Sequence, residues 1–396
     1  MRSQIRGPFV IAASALLMLP AVTLKAAEPI DVRVMTQNLY LGADTTSILM
    51  ATTLPKLVDA INAAAASVVA NNFPARATAI ANEIASAGGP LLVGLQESEI
   101  VSNGKQSLNY ADVLIAALET QGLHYTYKVP GIGDAVHKGF TLDSTAFGIP
   151  GIPPFTLVDQ EVVLVRADVP NFTVTSISAP TFANDVTVVS PLFGQFSLKR
   201  GYVLVEASLD GVLFQFVSTH LAETHDALEP AEVAEILTAL GTTNERQLVA
   251  GDFNARPDEV CGEAPCGPAE MLAAGFADTG AGLGSTCCQS PTLDNPVSSL
   301  SKRFDYIFER DFHAIYSAAL VGDQRFEDVR PLWPSDHAGV VATIAEVVGT
   351  PGFSNCHGLS IAALSHQFGN LGAAAKALGF SDVTELQDAV RAFCRL

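Results

Sequence analysis

Asn38, Glu97, His220, Asp252, Asn254, Asp305, Asp336 and His337 stand out in this sequence for the chemistry they could do together. Glu97 follows an apolar run, Leu91 to Leu95, that reads as a strand covered on both faces. A carboxylate held there needs a partner. A hard cation such as Mg²⁺ or Mn²⁺ suits it, because Mg²⁺ takes one or two carboxylates and leaves its other positions to water and phosphate oxygens. Asn38 closes the strand begun by Val32 to Thr36 and can lie beside that ion. Asp252 and Asn254 alternate at a strand end, so both can face one way, one accepting and one donating. Asp305 can orient His337 through one ring nitrogen and leave the other for a phosphate or a proton. His220 is a second acid–base group, and Asp336 precedes His337 directly. A metal to neutralise charge, an acid to position water and donors for the phosphoryl oxygens are the equipment for in-line attack of water on a phosphate. There is no G-x-S-x-G, no H-E-x-x-H, no Walker loop and no dinucleotide-binding glycine fingerprint.

These residues sit at the ends of short strands that alternate with helices, where layered α/β folds build their sites. Pro55 to Ala87 reads as Ala-rich helix, with Pro74 in the first turn of a second helix whose apolar face is Ala77, Ile80, Ala81 and Ile84. Glu161 to Arg166 is a strand. Tyr202 to Ser208 and Val212 to Thr219 flank Asp210-Gly211, a hairpin signal, and the second arm runs into His220. Glu229 to Leu240 is an amphipathic helix, Gln247 to Ala250 a strand running into Gly251-Asp252-Phe253-Asn254, and Phe304 to Phe308 and Ala338 to Ile344 are further strands. Pro351-Gly352 marks a boundary, and 352–396 reads as a small unit of two or three short helices.

The chain has 396 residues, a net charge of −19, 16% charged and 48% hydrophobic residues. That excludes a disordered chain and argues against holding nucleic acid by charge alone. Residues 1–26 read as a signal peptide: Arg2 and Arg6, then an apolar run from Phe9 to Leu24 interrupted by Pro20, then Ala26-Ala27. The run is short for a membrane span, so a secreted or periplasmic protein is expected. The even set Cys261, Cys266, Cys287, Cys288, Cys356 and Cys394 suits an exported, disulfide-bonded chain. Cys356 and Cys394 bracket the C-terminal unit and are expected to staple it. Cys287 and Cys288, being adjacent, are each expected to pair with Cys261 or Cys266. With no C-x-x-C, structural zinc is disfavoured.

V-M-T-Q-N-L, G-L-Q-E, S-T-H-L, A-G-D-F-N, R-F-D-Y-I-F and P-S-D-H, in that order over about residues 30–348, resemble the endonuclease/exonuclease/phosphatase superfamily. The resemblance implies a four-layer α-β-β-α sandwich of two mixed β-sheets, here with a small C-terminal helical appendage. It implies a divalent-metal-dependent phosphoesterase acting on nucleic acid, a phospholipid headgroup or a small phosphate ester. Glu97 would be the metal-binding glutamate, with Asn38 beside the metal and Asp336 of the closing motif completing the metal set. His220, Asp252, Asn254, Asp305 and His337 would form the catalytic set, Asp305 paired with His337. A binding module that kept the fold and lost the chemistry is the alternative. Beyond the motifs, the phenylalanine-rich loops 140–157 and 179–196 are expected to pack on the sandwich rather than form a lipid-facing or substrate-facing patch. Lys199, Arg200, Lys302 and Arg303 are cations that sit by the phosphate or line a rim.

Overall fold

The computed structural model describes residues 30–147, 152–224, 226–242, 245–327 and 330–395; the expected signal segment lies outside them. Strand β1 (Asp31–Asn38) is followed by helices α1 (Leu54–Ala70) and α2 (Phe73–Ser86), each with a proline in its first turn. Next come β2 (Leu92–Gln96), α3 (Tyr110–Thr120), β3 (Val136–Asp143), β4 (Thr156–Arg166), β5 (Phe172–Ser178), β6 (Tyr202–Leu209) and β7 (Val212–His220). Then follow α4 (Leu228–Leu240), β8 (Arg246–Asp252), β9 (Asp305–Arg310), β10 (Ala314–Val321) and β11 (Gly339–Glu346). The chain closes with α5 (Cys356–Gln367), α6 (Leu371–Ala377) and α7 (Val383–Cys394).

Two mixed sheets result. One runs β10-β11-β1-β2-β4, with β3 also on β4, and β1 and β2 parallel. The other runs β5-β6-β7-β8-β9, with β7 and β8 parallel. Period-two alternation sends Val32 and Val34 of β1 into the layer shared with Val203, Phe216 and Ile307 of the second sheet, and Met35 to the opposite face. There Met35 shares one buried cluster with Ile61 of α1, Ile80 of α2 and Leu114 of α3. On the far side of the second sheet, Val217, Val249 and Phe308 pack on Val233 and Ile236 of α4. The layers are therefore helix, sheet, sheet, helix. The sheets touch closely where a Cβ on Gly94 would stand 2.5 Å from Ser218 Oγ, so that position of β2 admits no side chain.

The helices α5 to α7 pack Leu364, Leu386 and Val390 onto Ile315, Ala345 and Val347 at the edge of the first sheet. Cys356 is bonded to Cys394, with Cα atoms 5.7 Å apart. The other pairing differs from expectation. Cys261 bonds Cys266 (Cα–Cα 5.0 Å), and Cys287 bonds its neighbour Cys288. The reason is local: Cys261 and Cys266 lie on and just past a two-residue-per-arm hairpin, whereas Cys287 is bridged to Lys302 and His337. Phe155 and Phe182 are buried, and Phe140, Phe193 and Phe196 pack half-buried on the first sheet's core, so these phenylalanines lie on the sandwich. Part of the second forms a hairpin, Val186–Ser190 with Gly194–Leu198. No helix among the described residues is long and apolar enough to cross a membrane.

Candidate active site

The site forms where the two sheets present their strand ends on the same side. His220, Asp252 and Asp305 are consecutive cross-strand partners on β7, β8 and β9, so one row of the second sheet carries all three. On the first sheet Asn38 ends β1 opposite Gln96, and Glu97 follows with a left-handed backbone, φ 49°. Gly251 has φ 154°, and a Cβ there would stand 2.1 Å from Thr219 O; glycine lets the chain turn into Asp252.

Asn38 joins the sheets. Its Nδ2 donates to Glu97 Oε1 (3.0 Å) and to Asp252 Oδ2 (3.1 Å), while its Oδ1 accepts from Tyr40 N–H (2.9 Å). Leu41 N–H donates to Glu97 Oε2 at 3.2 Å. The imidazoles of His220 and His337 flank Asp252, each with Nε2 3.7 Å from Oδ2. His337 Nδ1 meets Asp305 Oδ2 at 2.8 Å, leaving Asp305 Oδ1 buried without a hydrogen-bond partner. Ser335 Oγ donates to Asn38 O (2.7 Å), tying the closing motif to β1. Asp336 faces Glu97, Arg76 and His337 electrostatically. Asn254 is displaced from the expected alternation: the strand stops at Asp252, Asn254 takes φ 52°, its N–H donates to Asp252 Oδ1 (2.9 Å) and its amide to Leu221 O.

Electrostatics separates the two histidines. Burial would lower His337, but Asp305, Asp252 and Asp336 outweigh it and hold the imidazole well above its ordinary value. His220 goes well below it through burial, the adjacent Arg200 and His337. Arg200 donates to His220 Nδ1, which leaves the proton of neutral His220 on Nε2, toward Asp252. Burial, opposed by His337 and reinforced by Asp305, pushes Asp252 up to about 7. Burial, opposed by His337 and Arg76 and reinforced by Glu97, raises Asp336 to about 6.

Motif reading overlooked part of this machinery. Arg76 on α2 is completely buried, donating to the carbonyls of Leu39 (2.6 Å), Tyr40 (2.9 Å), Asn71 (3.1 Å) and Pro334 (3.0 Å). Asp159, pushed to about 7 by burial and Glu161 and drawn down by Arg200, lies 3.8 Å from that guanidinium. The available signals were an arginine beside the apolar stripe of α2 and acids inside the apolar strand β4. Of the other cations, Arg303 makes a two-point pair with Asp278 (2.7 Å each) and Lys302 lies over the Phe304 ring.

A model of the family described as the Endonuclease/Exonuclease/phosphatase family matches residues 35–337. A Bacteroides thetaiotaomicron protein described by the same family name is 16% identical, with a TM-score of 0.51, 81% of this chain covered and 100% of that one; the likeness is one of fold. The mannosyl-6-phosphatase of B. thetaiotaomicron is 15% identical (TM-score 0.49; 79% and 99% covered), and truncated Caenorhabditis elegans TDP2 is 17% identical (TM-score 0.44; 80% and 97% covered). No curated protein sequence gives a match.

Proposed function

We propose, from the premise that this chain belongs to the endonuclease/exonuclease/phosphatase family, that it is an exported phosphodiesterase using Mg²⁺ or Mn²⁺. Members of the family are generally metal-dependent phosphoester hydrolases. The observation that carries the reading is the unbroken chain of contacts Glu97–Asn38–Asp252–His337–Asp305, with His220 on the other side of Asp252.

The residues fit a hard divalent cation. As ligands Glu97, Asp336 and Asn38 offer only oxygen, and the surrounding acids disfavour ionisation of two carboxyls: Asp305 acts on Asp252, and Glu97 and Asp305 act on Asp336. Glu97 and Asp336 would hold the ion, with Asn38 keeping Glu97 in place. Bound there, the ion neutralises charge growing on the phosphoryl group. Asp252, with its raised affinity for protons, takes the proton of the attacking water. His220 Nε2–H and the charged His337 are donors on either side of it for the phosphoryl oxygens and the leaving group. Asp305 holds His337 in orientation and stabilises its charge, and the Asn254 N–H fixes Asp252.

Diesters are the proposed class. The net charge of −19 weighs against unaided affinity for nucleic acid. Export rests on the reading of residues 1–26 together with three disulfides among the described residues.

The test is hydrolysis of bis-p-nitrophenyl phosphate with Mg²⁺ or Mn²⁺, with and without chelator. Glu97→Gln and His337→Ala should each lose at least about 100-fold in turnover with the fold intact. Undiminished turnover in either variant, or in chelator, counts against the assignment. Metal binding without hydrolysis of DNA, RNA, sphingomyelin or bis-p-nitrophenyl phosphate would leave the binding-module alternative.

A further inference from the structure

The Cys287–Cys288 pair stands at the active site, yet the proposed hydrolysis does not use it. Cys288 is exposed, and its Sγ lies 3.8 Å from His337 Nε2. Both sulfurs and a nitrogen of that imidazole lie within 4.8 Å of one another. His337 Nδ1 is engaged by Asp305 at 2.8 Å, the outer carboxylate that metal-ligating histidines commonly carry.

The backbone that carries the two cysteines is tied in place by hydrogen bonds that do not depend on the S–S bond. Cys287 exchanges two hydrogen bonds with Lys302, both 2.9 Å. On the other side, Gln289 N–H donates to Asp336 O and Ala338 N–H to Thr286 O, both 2.8 Å. Thr286 Oγ1 accepts from the N–H groups of Phe304 (2.9 Å) and Asp305 (3.1 Å), so the segment is locked to the strand that orients His337. Breaking the S–S bond removes none of these ties.

We propose that, when reduced, Cys287, Cys288 and His337 form a binding site for a thiophilic divalent cation such as Zn²⁺ or Cd²⁺. Two thiolates and an imidazole select such ions over Mg²⁺, in contrast to the oxygen donors around Glu97, and leave one tetrahedral position open. Access requires a dithiol reductant. One of its thiolates attacks Cys288 Sγ, and Cys287 leaves as thiolate and takes up a proton. The second reductant thiol then displaces Cys288 in the same way, releasing the reductant as a cyclic disulfide. The cation replaces the two thiol protons and any proton on His337 Nε2. On the proposed mechanism, this occupies the His337 nitrogen needed for hydrolysis and stops it.

The experiment treats the full chain with dithiothreitol, removes the reductant without air, and titrates Cd²⁺ while recording thiolate-to-cadmium charge-transfer absorption. Reduced protein should develop the band and oxidised protein should not. Cys287→Ser and Cys288→Ser should each weaken binding at least about tenfold, and His337→Ala likewise. Cys261→Ser is the control, because Glu229, Cys261 and Cys266 form the other cluster with sulfur ligands among the described residues. No band in reduced protein, a band indifferent to His337→Ala, or one lost in Cys261→Ser alone overturns the proposal. Absorption does not depend on catalysis. An inactive protein with a His337-dependent band would therefore retain the metal site and refute only the phosphodiesterase reading.

Discussion

A single arginine ties the loop after Asn38 to the loop before Asp336. Arg76 reaches the carbonyls of Leu39 and Tyr40, which follow Asn38, and that of Pro334, which precedes the Asp336-His337 pair. Its charge is met by backbone carbonyl dipoles and by the fields of Tyr110, Asp336 and Glu97. Removing the guanidinium leaves buried carbonyls without donors, each costing about 1–3 kcal/mol. Arg76→Met should therefore lower stability by roughly 3–5 kcal/mol, and Arg76→Lys, which restores charge and fewer donors, by less. Urea denaturation of both variants checks this, and an unchanged midpoint in Arg76→Met would contradict the role. Neither Arg76 nor the Arg200–Asp159 contact was read as part of the site from sequence. Their partners lie on other elements, and a carbonyl acceptor carries no residue signature. The eight polar residues were legible because each stands at the end of a recognisable apolar run.

At the scale of elements, the strands and helices follow from apolar periodicity and turn residues. β1, β2, the β6–β7 hairpin and α2 lie where alternation, continuous burial, Asp210-Gly211 and Pro74 place them. The Cys356–Cys394 pairing was legible from the way the two bracket the C-terminal unit, but that of the other four cysteines was not, since it depended on a hairpin and a bridge that no local pattern announces. Helix α4 carries its own pH-dependent element. Glu229 is buried, accepts from Gly267 N–H at 2.8 Å and has its other oxygen 2.9 Å from the Cys261 sulfur. Burial is the main cause that raises it from 4.5 to about 8. Between those values the folded chain binds more protons at this group than the unfolded chain. Its stabilising contribution is therefore complete below about 4.5 and is lost as pH rises toward about 8. Glu229→Gln keeps the bond to Gly267 and cannot ionise, so the fall in stability from pH 5 to pH 8.5 should shrink by on the order of a few kcal/mol. Urea midpoints at both pH values read it out, and identical pH slopes in the two proteins would refute it.

The whole molecule is two sheets whose strand ends meet, and neither sheet alone holds a complete site. The first supplies Asn38 and Glu97, the second His220, Asp252 and Asp305, and the loop into β11 supplies Asp336 and His337. The four-layer order could be expected from the motif order, but the bridging by Asn38 could not, because it depends on how closely the sheets approach, as at Gly94 and Ser218. The central claim is that this junction gathers a hard cation and a phosphoryl group. A crystal of the oxidised protein soaked with Mn²⁺ and inorganic phosphate, with anomalous scattering to locate manganese, tests it most directly. The account predicts manganese on Glu97, with phosphate between it and the His220–Asp252–His337 row. Manganese and phosphate bound away from Glu97 and these histidines would contradict it.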